Sequence, residues 1–381
     1  MEWTDGTMGN TNLNYNGIEL TTNNIITGKL KCDLLKPPKD TSNIMDSFFH
    51  SEQKKIKKSD ISQKDNVLIT GIGGFVGSHL ANTLKTRGKN VVGIIRDHIP
   101  SDWINNALAG CTIINGDIRN RDLVRRTIEH YEINQIYHVA AAANVKQAHN
   151  NPYEVFDSNV MGAVSVLEGA RLSKRFNFDN PKMGNVVILN TDKVYGEKLD
   201  ADENSVYQSS EPYATSKCCQ GFAAQTYRST YDMNIKIAHS CNIFGFDPFN
   251  DRLIPNVVKK LIKSESPIIY TNDNSIREYI YVNDVIDALF LLMSDTYDKS
   301  SYNIRTGFIF NQKDVVEKII EYWNDINFEN IVPTYEKGNV PRQIQEESMK
   351  STVWDWSPSW AFEDAIKETV DLFMIYKYDF M

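Results

Sequence analysis

The stretch Val67-Leu68-Ile69-Thr70-Gly71-Ile72-Gly73-Gly74-Phe75-Val76-Gly77-Ser78-His79-Leu80 limits this 381-residue chain more than any other. An apolar segment runs into three glycines spaced three apart and then into an amphipathic helical pattern. The spacing predicts a strand, a tight turn and a helix. Gly71 permits the bend, Gly74 lets backbone N–H groups approach a pyrophosphate, and Gly77 lets the helix pack close to the sheet. The helix start then aims unpaired N–H groups and its dipole at the anion. Gly71, Gly74, Phe75, Val76 and Gly77 are therefore the first candidates for holding a dinucleotide. The pattern is Gly-x-x-Gly-x-x-Gly, because Val76 stands where the commoner G-x-G-x-x-G fingerprint has its last glycine.

Composition narrows the partners. A formal net charge of −8, with charges scattered along the chain, argues against a nucleic-acid surface. Five cysteines without C-x-x-C spacing suggest neither a disulfide framework nor a zinc site, and fit a reducing compartment. The seven histidines form no metal-ligand spacing, so no metal is expected. No apolar run has the length of a membrane span, and the first residues lack the basic-then-apolar pattern of a signal peptide. The chain reads as cytoplasmic.

Residues 1–62 are polar, carry Pro37-Pro38 and a lysine run from Lys54 to Lys58, and lack sustained periodicity. They read as an extension whose one apolar anchor is Phe48-Phe49. From there apolar segments at 67–70, 90–95, 111–114, 135–139, 185–190 and 235–240 alternate with helical patterns from residue 74 and at 121–131, 152–175 and 212–231. That rhythm predicts a parallel, doubly wound Rossmann-type α/β sheet over residues 63–241. Beyond residue 242 the rhythm breaks into shorter elements, with helices at 253–263, 284–293 and 361–376 and a strand at 278–282. Residues 242–381 are expected to be mainly a smaller substrate-binding subdomain, with some segments returning to the sheet.

Three places carry chemistry. The second strand ends Arg96-Asp97, where this fold reads the adenosine ribose: Asp97 would accept from a 2′-hydroxyl, whereas Arg96 would pair with a 2′-phosphate. NAD and NADP both remain open, and two solvated charges at a strand end are the plain alternative. Asp117 and Ile118, after the third strand, lie toward the adenine, and Ala140-Ala141-Ala142 are small enough for a ribose to lie against the backbone. Tyr213 and Lys217, four apart, share one face of a helix. A cation near a phenol favours phenolate, so Tyr213 would take a proton from a substrate hydroxyl while Lys217 holds the nicotinamide ribose. The fifth strand ends Thr191-Asp192-Lys193, at the sheet edge where ligands bind: Thr191 can bond the reacting hydroxyl, and Asp192 and Lys193 add an acid and a base.

These residues resemble a family, the extended short-chain dehydrogenase/reductases that act on nucleotide sugars, over about residues 67–376. The resemblance rests on Thr70 to Gly77, His138-Val139-Ala140-Ala141, Asn159-Val160-Met161-Gly162, Val194-Tyr195-Gly196, Pro212-Tyr213-Ala214-Thr215-Ser216-Lys217, Asn242-Ile243-Phe244-Gly245 and Arg277-Glu278-Tyr279-Ile280-Tyr281-Val282. Within it, Thr191-Asp192-Lys193 and Asp251-Arg252-Leu253-Ile254-Pro255 are most similar to the CDP-glucose 4,6-dehydratase group. There Asp-Lys replaces the Asp-Glu of dTDP-glucose dehydratases. The ending Val353-Trp354-Asp355-Trp356-Ser357-Pro358 resembles the family's Leu-Gly-Trp-x-Pro.

The resemblance implies a nucleotide-sugar 4,6-dehydratase using bound NAD, with NADP possible. Tyr213 would deprotonate the C4 hydroxyl beside Thr191, Lys193 would remove the C5 proton, and Asp192 would protonate the departing C6 hydroxyl. Asn159 would order the site, and Asn242, Arg252 and Arg277 would hold the nucleotide diphosphate. A homodimer through the helices bearing Asn159 and Tyr213 is implied as well. The competing readings are a 4-epimerase of the same family, which gives Asp192 and Lys193 no role, and a non-catalytic dinucleotide-binding protein on a borrowed fold.

Overall fold

The structure is a computed structural model that describes residues 13–15, 18–20, 65–97, 101–176, 184–196, 198, 200–209, 211–249, 252–327, 329–338 and 349–381. Pro37-Pro38, Phe48-Phe49, the lysine run and Asp251 lie outside the described residues. The chain divides into two units, Met1–Ser62 and Gln63–Met381. In the first, β1 (Leu13–Tyr15) and β2 (Ile18–Leu20) pair antiparallel, with Tyr15 opposite Ile18.

In the second unit the strand–helix rhythm becomes one parallel sheet. In chain order its elements are β3 (Asn66–Thr70), α1 (Phe75–Thr86), β4 (Asn90–Ile95), α2 (Asp102–Leu108), β5 (Thr112–Asn115), α3 (Arg121–His130) and β6 (Gln135–His138). There follow α4 (Val145–Asn150), α5 (Pro152–Phe156), α6 (Gly162–Arg171), β7 (Asn185–Thr191), α7 (Pro212–Tyr231), β8 (Asn234–Ser240) and, after a gap, β12 (Ser301–Ile304). The spatial order is β12-β8-β7-β6-β3-β4-β5, every pair parallel. The order reverses between β3 and β6, and a ligand in such a sheet lies beyond the strand ends at that switch point.

Both faces are covered by helices, so the strands are near-continuous apolar runs. Val67, Leu68 and Ile69 of β3 are fully buried. Leu68, Val92, Ile94, Ile136, Val186, Ile188, Ile235 and Ile237 share one core with Val124, Ile128, Val166 and Leu167 of the flanking helices. Each such side chain contributes about 1.5–3 kcal/mol on burial.

The remaining elements are β9 (Asn242–Phe244), α8 (Leu253–Ile262), β10 (Ile268–Tyr270), β11 (Ile276–Tyr281), α9 (Val282–Leu292), β13 (Ile309–Asn311), α10 (Gln312–Asn327), β14 (Thr334–Glu336) and α11 (Phe362–Ile375). They build a three-stranded sheet, β13-β11-β9, and a two-stranded one, β10-β14. Among the described residues no helix is long and apolar enough to cross a membrane.

One difference from the sequence expectations matters. The helix expected over 152–175 is three pieces: α5, a π-helical turn over Asp157–Met161, and α6, which ends at Arg171. A π turn carries an extra residue that a 3.6-residue apolar period does not reveal, and such turns cluster at functional sites. The sheet also takes β12 from beyond residue 242, joined to β8 in register from Ser301 opposite Ile237.

Candidate active site

At the glycine turn, Gly71 has φ +73°, the left-handed region, and a Cβ there would stand 2.7 Å from Ala140 Cα. A Cβ on Gly77 would collide with the Gly71 carbonyl oxygen, so that glycine serves close packing within the turn itself rather than against the sheet. At Gly74 the nearest atom to an added Cβ is the same oxygen at 3.3 Å. Gly74 caps α1 without a side chain, and the first turn holds no acidic residue. The first helical bond there runs from Ser78 N–H to Gly74 O, so the N–H groups of Phe75, Val76 and Gly77 precede any acceptor within the helix. A dinucleotide pyrophosphate fits these groups: unpaired donors, the positive end of a dipole and no competing carboxylate.

Beside the turn, Thr70 Oγ1 and His138 Nδ1 share a 2.8 Å hydrogen bond between the ends of β3 and β6. Burial pushes the His138 imidazole down to about 3, so it is neutral. The loop that follows it is held by Asn159 in the π turn. Asn159 Oδ1 accepts from Ala142 N at 2.7 Å, and its amide donates to Ala142 O and to Ser216 Oγ. Asn159 is fully buried and its amide is taken up, so it positions the Ala140–Ala142 loop against α7 and offers a substrate nothing.

Beyond the end of β4, Arg96 Nε donates to Asp97 Oδ2 at 2.7 Å, and both side chains are largely exposed. Arg96 also faces Glu154 of α5 at 3.4 Å. Asp117 is held by Arg119 at 2.6 Å, and that guanidinium keeps its carboxyl below the usual range. Arg119 is paired with Asp157 as well. The Ile118 side chain packs beside Gly162 and against the core.

The reacting end gathers residues from five segments. Thr191 closes β7 and donates to Asp192 Oδ1 at 2.9 Å. Lys193 Nζ lies 3.8 Å from Asp192 Oδ1 and donates to Asn242 Oδ1 at 3.4 Å, while the Asn242 amide donates to the Glu278 carbonyl oxygen. Asn242 thus ties Lys193 to β11. Arg277 lies on β11 beside Glu278, and Arg252, exposed, precedes α8.

Tyr213 stands in the first turn of α7, whose N-cap is Glu211 with Pro212 next, an acid-then-proline start that signals a helix. Burial raises the phenol above its usual range; Arg252 and Lys193 pull it down, and Asp192 and Glu211 push it up. One turn on, Lys217 Nζ donates to Leu189 O at 2.8 Å, and burial lowers it to about 7.

Residues 67–304 match the NAD dependent epimerase/dehydratase family. The chain belongs to it. Human dTDP-D-glucose 4,6-dehydratase is 26% identical over 322 residues, 80% of this chain and 89% of that protein. The dTDP-glucose 4,6-dehydratase DesIV of Streptomyces venezuelae, solved with NAD, superposes with a TM-score of 0.70 at 21% identity over 82% of this chain and 98% of that one. The UDP-glucose 4-epimerase of Thermotoga maritima, solved with UDP-glucose, gives 0.68 at 20% over 81% and 99%. These two likenesses show the fold.

In this epimerase/dehydratase chain the residues that sequence reasoning missed are Arg119, Glu154 and Ser216, which act across space, and Glu211, which caps α7. Only Glu211 had a legible signal, its place before Pro212.

Proposed function

We propose that the chain is a nucleotide-sugar 4,6-dehydratase, converting an NDP-hexose to the NDP-4-keto-6-deoxyhexose and water with NAD bound at the Gly71–Gly77 turn. The observation that carries this reading is the Thr191-Asp192-Lys193 cluster, in which Lys193 and Asp192 both act electrostatically on Tyr213. A 4-epimerase needs a base at C4 and no further acid–base pair.

The N–H groups of Phe75, Val76 and Gly77 would hold the phosphates of the dinucleotide. Lys217 holds the nicotinamide ribose, and Arg252 and Arg277 hold the sugar nucleotide diphosphate. When bound, NAD supplies the carbon that takes up hydride from C4 and gives it back at C6. Tyr213 accepts the proton of the C4 hydroxyl, with Thr191 hydrogen-bonded to the same oxygen. The C4 ketone acidifies the neighbouring C5–H, whose proton Lys193 removes in its neutral form. Asp192 protonates the C6 hydroxyl, which leaves as water, and C5 regains a proton as C6 is reduced.

The test is a mass-spectrometric screen against CDP-, UDP-, GDP- and dTDP-hexoses without added reductant. Loss of one water from one donor is expected. An isomer of unchanged mass would make the chain a 4-epimerase, and inertness toward every donor would favour a non-catalytic binding protein. With the right donor in heavy water, K193M is expected to abolish deuterium uptake at C5, whereas D192N keeps the uptake and blocks water loss.

A further inference from the structure

Glu154 belongs to no part of the acid–base chemistry, yet it stands between the two arginines of the adenosine end. Its Oε1 lies 3.4 Å from Arg96 Nη1 and 3.9 Å from Arg119 Nη1, and accepts from Ser158 Oγ at 3.2 Å. Arg96 is bonded on its other side to Asp97, and Arg119 to Asp117 and Asp157. The group therefore holds two guanidiniums against four carboxylates, an excess of two negative charges. Each arginine has at least two acidic partners.

A 2′-hydroxyl is neutral and can donate to Asp97. A 2′-phosphate carries close to two negative charges and needs an arginine whose guanidinium is available. Placed beside this cluster, it would meet like charge and an Arg96 already engaged. We infer that Glu154 is a specificity-determining residue, which by holding Arg96 from α5 selects NAD over NADP. The inference rests on the dinucleotide site proposed above and adds to it a residue outside the glycine turn and the end of β4.

The experiment is calorimetric titration of the full-length protein with NAD+ and NADP+, which reads binding without turnover. The wild type is expected to bind NAD+ at least tenfold more tightly. Removing one carboxylate beside a doubly charged phosphate near the surface is worth about a tenfold change. E154Q should therefore tighten NADP+ by about tenfold and leave NAD+ within about twofold. E154K should move the ratio further in the same direction, and raised salt should shrink both effects. A wild type that prefers NADP+, or an unchanged ratio in both variants, would overturn the inference while leaving the dinucleotide site intact. Failure of the wild type to bind either dinucleotide would overturn the site and the inference together.

Discussion

Lys217 Nζ donates to the carbonyl oxygen of Leu189 at 2.8 Å, so the amine of the Tyr-x-x-x-Lys pair is fastened to β7 rather than to Tyr213. Its surroundings keep it near the point of losing its proton: burial lowers it to about 7. In the unfolded chain the same amine stays charged to about pH 10.4. Between those values the unfolded state binds the extra proton, so this group makes stability rise with pH, and its penalty is complete below pH 7.

Lys217→Met should therefore stabilise the fold by about 1–3 kcal/mol at pH 6, after allowing for the donor lost to Leu189, with the gain fading toward pH 10. Catalysis should fall by about a hundredfold or more. Chemical denaturation at both pH values, beside turnover, checks the pair of effects. A variant less stable at pH 6 than at pH 10 relative to wild type would contradict the buried amine's role.

The phenol of Tyr213 must lose its proton to act, and Arg252 is among the cations that help it. Replacing Arg252 with Met removes that help and pushes the phenol higher. The acid limb of the kcat profile should move to higher pH, with kcat about fivefold lower at neutral pH and recovering in alkaline buffer. A uniform loss at every pH would assign Arg252 to binding alone.

Asn159→Ala should cost about 1–3 kcal/mol, because the part-buried Ala142 N–H loses its acceptor and buried Ser216 its donor. Turnover should fall as the Ala140–Ala142 loop loses its tie to α7. Urea midpoints measure the first effect, and kcat measures the second.

Gly74 and Gly77 should separate binding from folding. Gly77→Ala drives a methyl into the Gly71 carbonyl oxygen and should lower the melting temperature markedly. Gly74→Ala meets the Gly71 oxygen at a tight 3.3 Å, so it should cost less stability than Gly77→Ala while weakening dinucleotide binding by about tenfold or more. Calorimetric titration and thermal melts of both variants distinguish these outcomes.

Much of the architecture was legible from local pattern. The Pro212–Tyr231 helix has the bounds that its apolar spacing predicts, and β3, β4 and β7 lie within one residue of the apolar runs that announce them. The π turn at Asp157–Met161 was not legible, because one extra residue in a single turn barely disturbs the apolar spacing that announces a helix. The return of Ser301–Ile304 to the sheet was expected only in general terms, since a short apolar segment does not name the strand it will pair with.

The sequence by itself determined the βαβ order, the glycine turn and the helix bearing Tyr213 and Lys217. Each of these depends on dihedral preference and periodicity within a dozen residues. Only the tertiary structure decided that Lys217 is claimed by Leu189, that Arg96 is shared by Asp97 and Glu154, and that Asn159 is occupied by Ala142 and Ser216. Apart from Arg96–Asp97, those partners lie 17 to 58 residues apart in the chain. Their distances are set by how the helices pack on the sheet, and electrostatic effects at such sites depend on distance and burial rather than on order along the chain.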